Sequence, residues 1–289
     1  PPFPPPRPPL LPADAPLSRV PCLRAKAELS SPLVSATVDV YESMRREMLP
    51  TPSKSHYTFN LRDVSRVMQG TLQVTPKKCP DADAMVRLWC HECSRVFCDR
   101  LINKEDRAWF TLQLSTALAD EPFNKKLPVE KIAPIVWGMY MNTTAGVAGA
   151  LYEELDVTQS SAKFDEYLLD FNLNTTKPMN LVFFADACMH LARISRIITQ
   201  PRGCALLVGV GGSGRQSLVR LAASMWDYKC NGIEITRTYD NAAWHDDLKR
   251  FMFEAGCDNT PVVFLFSDTQ IVKESMLEDV NNILNSGEV

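Results

Sequence analysis

From residue 31 onward apolar side chains recur every three to four positions, a spacing that predicts one amphipathic helix after another. Leu33–Met48 carries such a stripe and stops at Pro50-Thr51-Pro52, where proline removes the N–H donors a helix needs. His56–Gly70 begins extended and turns helical, with Leu61, Val64, Val67 and Met68 at helical spacing and Gly70 as the terminator. Asp81–Ile102 is more strongly two-faced, since Met85, Leu88, Trp89, Cys93, Val96 and Phe97 share a side. Glu105–Ala119 continues the helical run, and charged and apolar residues alternate in the same way around Leu151–Asp170. Residues 31–155 therefore predict a small all-helical bundle. A polar linker, Asn172–Asn180, leads to a further helix, Leu181–Thr199, with Arg193 and Arg196 on its polar side.

The period then changes. Cys204–Val208 is a short apolar run that fits a buried strand, Gly209–Gly214 is a glycine-rich turn, and Arg215–Trp226 is a helix. Gly232–Thr236 suits a second strand, Asn241–Ala255 a helix that Gly256 can end, Pro261–Phe266 a buried strand, and Ser275–Leu284 a last amphipathic helix. Strands alternating with helices predict a parallel three-layer α/β sheet, of which too few strands are placed for a complete doubly wound domain.

Composition narrows the class. At 289 residues the chain has room for about two domains. It is 45% hydrophobic and 22% charged with a net charge of −3, so no global basic field favours nucleic acid or an anionic membrane. The apolar runs fall far short of the roughly 20 residues that span a bilayer, and no charged stretch precedes an apolar one as in a secretory signal. Nine cysteines without a regular framework fit a reducing, intracellular setting. Nine of the first sixteen residues are proline, so residues 1–30 are expected to form a proline-rich disordered tail without a core, the better reading than a ligand for proline-recognising domains, although Pro4–Pro9 offers their PxxP spacing.

Chemistry concentrates at the glycines. Strand, glycine-rich turn and helix in that order form the layout of a phosphate-binding loop, because glycine lets the backbone approach a ligand and the amides opening the next helix attract an anion. Gly209-Val210-Gly211-Gly212-Ser213-Gly214 satisfies two motifs at once. As GxGxxG it suits a dinucleotide, with Glu234 placed to hold a ribose hydroxyl, although Glu234 falls inside the expected strand rather than at its end. As GxxxxG followed by Arg215, Gln216 and Ser217 it is a P-loop variant, which also accounts for the second apolar strand ending in a carboxylate, VVFLFSD. Other clusters carry less. Cys90-His91-Glu92-Cys93 with Cys98 beyond invites zinc, but Cys98 lies about 140° around the helix from Cys93 and no second ligand pair follows, so packing is the better reading. His245-Asp246-Asp247 cannot converge on a metal from adjacent positions of one helix and reads as a solvated face.

Several stretches resemble a known family. ALLVGVGGSGRQSL, IEITRTYDNAAWHDDLKRFMFEAG, PVVFLFSDTQI and MLEDVNNILNSGEV are similar to the fourth AAA+ module of axonemal dynein heavy chains, of the inner-arm class. LPTPSKSHYTFNLRDVSRVMQG resembles the helical lid of the third module of the same ring. The resemblance implies an incomplete P-loop NTPase (AAA+) α/β domain over residues 156–289, preceded by an all-α lid subdomain over 31–155. It implies that Gly209, Val210, Gly211, Gly212, Ser213, Gly214, Arg215, Gln216 and Ser217 hold the phosphates of ATP or ADP. Leu181, Val182 and Phe183 fall where such modules contact adenine, though apolar residues there equally suit a core. Arg62 matches a lid arginine that senses phosphate.

In a hydrolytic P-loop a lysine meets the β- and γ-phosphates and the next hydroxyl holds Mg2+. Here Arg215 and Gln216 take those places, and Ser217 comes one residue late. The family's second strand ends in an Asp–Glu pair; here Ser267 takes the magnesium position and Asp268 the catalytic one or, slid by one residue, Asp268 takes the magnesium position and Thr269 that of the base. Either way one carboxylate stands where two are needed, and losing a positioned base costs about 10²–10⁴-fold. The expectation is a site that binds ATP or ADP, with Mg2+ reached through Gln216, Ser267 and Asp268, and hydrolyses slowly or not at all. By resemblance the parent is an ATP-driven microtubule motor of the cilium or flagellum axoneme, with neighbouring AAA+ modules, light and intermediate chains and microtubules as partners, and neither nucleic acid nor membrane. An NAD(P)-type domain and a nucleotide-free structural ring module are the alternatives.

Overall fold

The computed structural model describes residues 21–119, 136–144, 146–201 and 203–287, with side chains from Leu29 onward. The PxxP run at Pro4–Pro9 lies outside the described residues. Helix α1 (Pro21–Glu47) starts well before the Ser31 that the pattern gave, so the last part of the expected tail is helical. Pro32 sits inside it and forfeits one helical hydrogen bond.

The chain divides into two compact units. The first holds the described residues up to Trp137 together with Tyr152–Glu154. Here α1, α2 (Leu61–Thr71), α3 (Ala82–Cys93) and α4 (Lys104–Ala119) enclose one core around Met44, Trp89, Phe97, Phe110 and Leu114. Two buried polar groups within it pair with each other, as burial demands. The Trp89 indole N–H donates to Thr37 Oγ1 at 2.8 Å, and the Thr37 hydroxyl donates to the Leu33 carbonyl at 2.6 Å. Asn60 caps α2 by accepting from the Arg62 N–H at 2.9 Å, while Asp63 accepts from the Asn60 N–H at 3.0 Å. The same buried Asp63 takes the Arg100 guanidinium at 2.7 Å, pinning the start of α2 to the segment after α3. α3 runs on into a π-helical turn, Ser94–Cys98, closed by the Asp99 N–H on the Ser94 carbonyl.

Residues 31–155 are nevertheless not all-helical. β1 (Val136–Gly138) and β2 (Glu153–Leu155) form a two-stranded sheet, with a single helical turn, α5 (Gly146–Gly149), between them in sequence. Strands of three residues are too short to show a period of two, which is why the pattern missed them. Tyr152 donates its hydroxyl to the buried carboxylate of Glu92 at 2.6 Å, and Arg87 meets Glu154 at 3.0 Å.

The second unit holds Gly138–Leu151 and the described residues from Leu155 onward. α6 (Val157–Asn174) buries Phe164, whose ring lies 4.6 Å from that of Tyr140 and 5.7 Å from that of Phe183. α7 is shorter than expected: it spans Ala185–Thr199, and Leu181–Phe184 lead into it extended. Arg196, assigned to the polar side, is instead 5% exposed. α8 (Arg215–Met225) packs on α7, where the Trp226 indole N–H donates to the buried Ser195 hydroxyl at 2.7 Å.

β3 (Lys229–Asn231) and β4 (Val262–Phe264) pair in parallel, with Cys230 opposite Val263, as the alternation of strands and helices required. The strand lies just before GIEIT rather than within it: Gly232–Thr236 continue extended outside the ladder. Glu254 of α9 (Asn241–Gly256) secures it, accepting from Lys229 Nζ at 2.8 Å and Asn231 Nδ2 at 2.7 Å. α10 (Ser275–Asn285) and α9 cover the small sheet through Trp244, Leu248, Phe251 and Met276. Cys204–Val208 is, among the described residues, paired with no strand, and Leu206 and Val208 are 90% and 84% exposed. The expected burial fails for a physical reason: an apolar strand is covered only when ladders flank it. Among the described residues no helix is long and apolar enough to cross a membrane.

Candidate functional site

The turn between the extended run and α8 has the conformation that its glycines permit. Gly212 and Gly214 lie at φ 77° and 76°, the left-handed region, and Gly214 is the residue from which α8 starts. The first bond inside that helix runs from the Leu218 N–H to the Gly214 carbonyl at 2.9 Å. The main-chain N–H groups of Arg215, Gln216 and Ser217 therefore precede the helical ladder and open toward the turn, at the positive end of an eleven-residue dipole. Space is available there: a Cβ placed on Gly211, Gly212 or Gly214 would meet nothing within 4 Å. Bare backbone, open volume and helix-start amides together fit a polyphosphate.

Arg215 does something the motif does not reveal. Its guanidinium folds back on its own loop, donating to the Leu207 carbonyl at 3.2 Å and to the Val210 carbonyl at 3.1 Å. Gln216 is exposed and Ser217 half-buried. Beyond β4, Ser267 caps a short 3-10 turn, Asp268–Gln270, in which the Ser267 N–H donates to Gln270 Oε1 at 2.7 Å. The Ser267 hydroxyl is engaged inside this turn, 3.0 Å from Thr269 Oγ1 and 3.1 Å from Gln270 Oε1. Asp268 is exposed and accepts from the Thr269 N–H at 3.0 Å. Gln270 also donates to the Ile233 carbonyl at 2.6 Å, tying the turn to the chain that follows β3. Sequence reasoning passed over that tie, although Ser267 and Gln270 have the S-x-x-Q spacing of a capping box.

Among the described residues no hydrogen bond or ion pair joins the glycine turn to Ser267 or Asp268. No hydrogen bond or ring contact joins it to Leu181, Val182 or Phe183. Of those three, Phe183 is core, packed on Phe164, whereas Leu181 is half-buried and Val182 80% exposed. Arg62 is exposed on the first turn of α2, beside the buried Asp63. Glu234 is exposed beyond the end of β3, so its position in the strand is no longer an objection to the dinucleotide reading.

The side clusters resolve into packing and local pairing. His245 reaches Asp279 at 3.2 Å, Asp247 takes the Tyr239 hydroxyl at 2.9 Å and Arg250 at 2.7 Å, and Asp246 pairs with Lys249 at 3.6 Å. Among the described residues no three His, Cys, Asp or Glu side chains are grouped to hold a metal. Cys90 and Cys93 are buried, and burial pushes the Cys90 thiol up to about 12. At pH 8 only about 10⁻⁴ of Cys90 is then thiolate, the form that alkylates. Iodoacetamide is expected to label the exposed Cys204 and Cys257 at least a hundredfold faster than Cys90, which should react only on denaturation; peptide mass spectrometry over a time course checks this.

A left-handed glycine turn feeding a helix, followed by a parallel strand pair with a carboxylate beyond its second strand, defines a P-loop nucleotide-binding module. Residues 179–289 match the family described as P-loop containing dynein motor region D4, and residues 14–107 match that of the dynein heavy chain ATPase lid domain. Over 275 residues the chain is 46% identical to dynein axonemal heavy chain 1 of Homo sapiens, covering 94% of this chain and 6% of that protein. It is 47% identical over 268 residues to dynein axonemal heavy chain 6 of Homo sapiens, covering 92% and 6%. It is 44% identical over 272 residues to the Chlamydomonas reinhardtii dynein-1-beta heavy chain of the flagellar inner arm I1 complex, covering 90% and 6%. The chain belongs to the dynein heavy chain family, and carries its ATPase lid followed by part of the D4 motor region. It spans 6% of the length of these relatives.

Proposed function

We propose that the turn from Gly209 to Ser217 holds the phosphates of ADP or ATP as a regulatory site with slow or no hydrolysis. One observation carries the reading: left-handed Gly212 and Gly214 open α8 beneath empty space, while the strand across the sheet leads to the single carboxylate of Asp268. The main-chain amides of residues 211–217 would hold the phosphates, and Arg215 would pair with them after leaving the Leu207 and Val210 carbonyls. Mg2+, when bound, would neutralise phosphate charge; Gln216, Ser267 and Asp268 are its candidate ligands. The Ser267 hydroxyl would have to turn from Thr269 and Gln270 to serve. Leu181 and Val182 would line the adenine side. The unit is the start of a parallel three-layer AAA+ domain, and its nucleotide state would bias neighbouring modules of the same heavy chain through differential affinity. In the whole protein this serves ATP-driven movement on microtubules in the ciliary or flagellar axoneme, with light and intermediate chains bound elsewhere.

Titration of a fluorescent ATP analogue into the full chain, with and without Mg2+ and with NAD+ as competitor, tests the site. Saturable binding displaced by ATP and ADP but not NAD+ is expected, with Arg215→Ala weakening it about 10–100-fold, the worth of a charge-assisted contact. Phosphate release should stay within about tenfold of the uncatalysed level, and Asp268→Asn should weaken binding in the presence of Mg2+ while leaving the Mg2+-free affinity unchanged. Displacement by NAD+, with Glu234→Ala impairing binding, would establish the dinucleotide alternative instead. No binding at all would leave a structural module.

A further inference from the structure

Among the described residues four hydroxyl side chains stand directly before a proline: Ser31, Thr51, Thr75 and Thr260. Proline lacks an N–H and pushes the residue before it away from helical backbone, and proline-directed protein kinases recognise such a step. The cyclin-dependent members of that class also favour a basic residue three places after the hydroxyl. Thr51-Pro52-Ser53-Lys54 and Thr75-Pro76-Lys77-Lys78 both meet the fuller pattern, so spacing alone does not choose between them. Their settings differ. Ser31 is held inside α1, and Thr260 runs into β4, its N–H donating to the Glu254 carbonyl at 3.1 Å. The Thr75 hydroxyl oxygen is buried. Thr51 lies between α1 and α2, outside helix and strand, and is exposed together with Pro52 and Ser53. The Lys54 N–H closes this surface turn on the Thr51 carbonyl at 2.9 Å, and a turn of that kind opens at small cost.

The surroundings of Thr51 give a phosphate there something to act on. Thr51 lines an open cleft with Glu47, Lys54, Glu105 and Asp106, and Lys54 is the one cation among the residues that line it. Lys54 Nζ donates to Asp106 at 2.5 Å, fastening the turn to the start of α4, and the Tyr57 hydroxyl gives the same carboxylate a second bond at 2.8 Å. The bond from Lys54 holds the Asp106 carboxyl below its ordinary range, so it stays the anion of that pair. Glu47 and Glu105 are exposed in the same cleft.

We propose that Thr51 is a phosphorylation site for a proline-directed kinase, and that its phosphate draws Lys54 from Asp106 and loosens the turn. In the transfer Thr51 Oγ1 bonds to the γ-phosphorus of the kinase's ATP, the bond to the β,γ-bridging oxygen breaks, ADP leaves, and the hydroxyl proton passes to the kinase's base. The new group carries a charge of about −1.5 to −2 at pH 7, competes for Lys54 and repels Glu47 and Glu105. The test treats the full chain with a cyclin-dependent kinase and ATP and locates phosphate by peptide mass spectrometry over a time course. Thr51 should be modified at least about twentyfold faster than Thr75, whose hydroxyl is freed only by local unfolding, whereas synthetic peptides spanning either step should react at similar rates. Thr51→Ala should remove most of the incorporation. In the phosphorylated chain the Tyr57 amide, bonded to the Lys54 carbonyl at 3.0 Å, should exchange its hydrogen about threefold faster or more. Phosphate reaching Thr75 as fast as Thr51, or neither of them although the peptides react, would overturn the inference, as would a Thr51 peptide that does not react. Exchange at Tyr57 unchanged by the phosphate would overturn the coupling to Lys54.

Discussion

Gly214→Val is expected to reduce nucleotide affinity by at least thirtyfold while leaving most of the fold intact. Gly214 sits at φ 76° and ψ 5°, and a Cβ there would touch nothing within 4 Å, so the penalty is in the backbone and not in a clash. A β-branched residue held left-handed costs on the order of 1–3 kcal/mol, and the turn escapes that cost by taking another path. Once it does, the amides of Arg215, Gln216 and Ser217 no longer aim together, and an oriented anion site is worth little when its donors diverge. Gly214→Asn, whose side chain tolerates the left-handed region, should lose only a few-fold. Isothermal titration with ADP separates the variants, and circular dichroism verifies that α8 persists. Equal affinity in Gly214→Val and the parent would remove this loop as the phosphate site.

Trp244→Ala is expected to destabilise the second unit by about 3–5 kcal/mol, the usual cost of emptying a large buried ring. Trp244 is fully buried between α9, α10 and the sheet, with its ring 6.2 Å from Phe264 and 5.4 Å from Phe266. Its indole N–H donates to Asp279 at 2.8 Å, fastening α10 to α9. Phe264 closes the ladder and Phe266 precedes Ser267, so the cavity would loosen the turn that presents Asp268. Trp244→Phe keeps the rings and loses the hydrogen bond, and should cost only about 1–2 kcal/mol. Urea unfolding followed by circular dichroism reads both; a loss under 1 kcal/mol for Trp244→Ala would show that this core does not hold the unit together.

The helices were the legible part of the molecule. α4, α9 and α10 fall within a residue or so of the positions their apolar spacing gives, because each buries one stripe on a core supplied nearby in the chain. The strands were less so. β3 contains Lys229, Cys230 and Asn231, which do not look like strand residues; neighbouring β4 and the carboxylate of Glu254 hold them in place, and neither is local in sequence. Conversely, Cys204–Val208 looks like a strand and forms no ladder among the described residues, since apolar character alone supplies no partner. At the site the glycine turn could be found from its spacing, and the family match agrees with the P-loop reading. The contacts of Arg215 with the Leu207 and Val210 carbonyls could not be found, because a guanidinium placed by loop geometry leaves no mark on sequence spacing.

The unpaired run ahead of the glycine turn has a colloidal consequence. Leu206, Val208 and Val210 stand at alternate positions of that run and are 90%, 84% and 83% exposed, so one sticky edge presents an apolar row to another chain. Handled at high concentration, the polypeptide would precipitate through that edge first, and a lysine substituted at Leu206 would act as a gatekeeper that keeps it in solution.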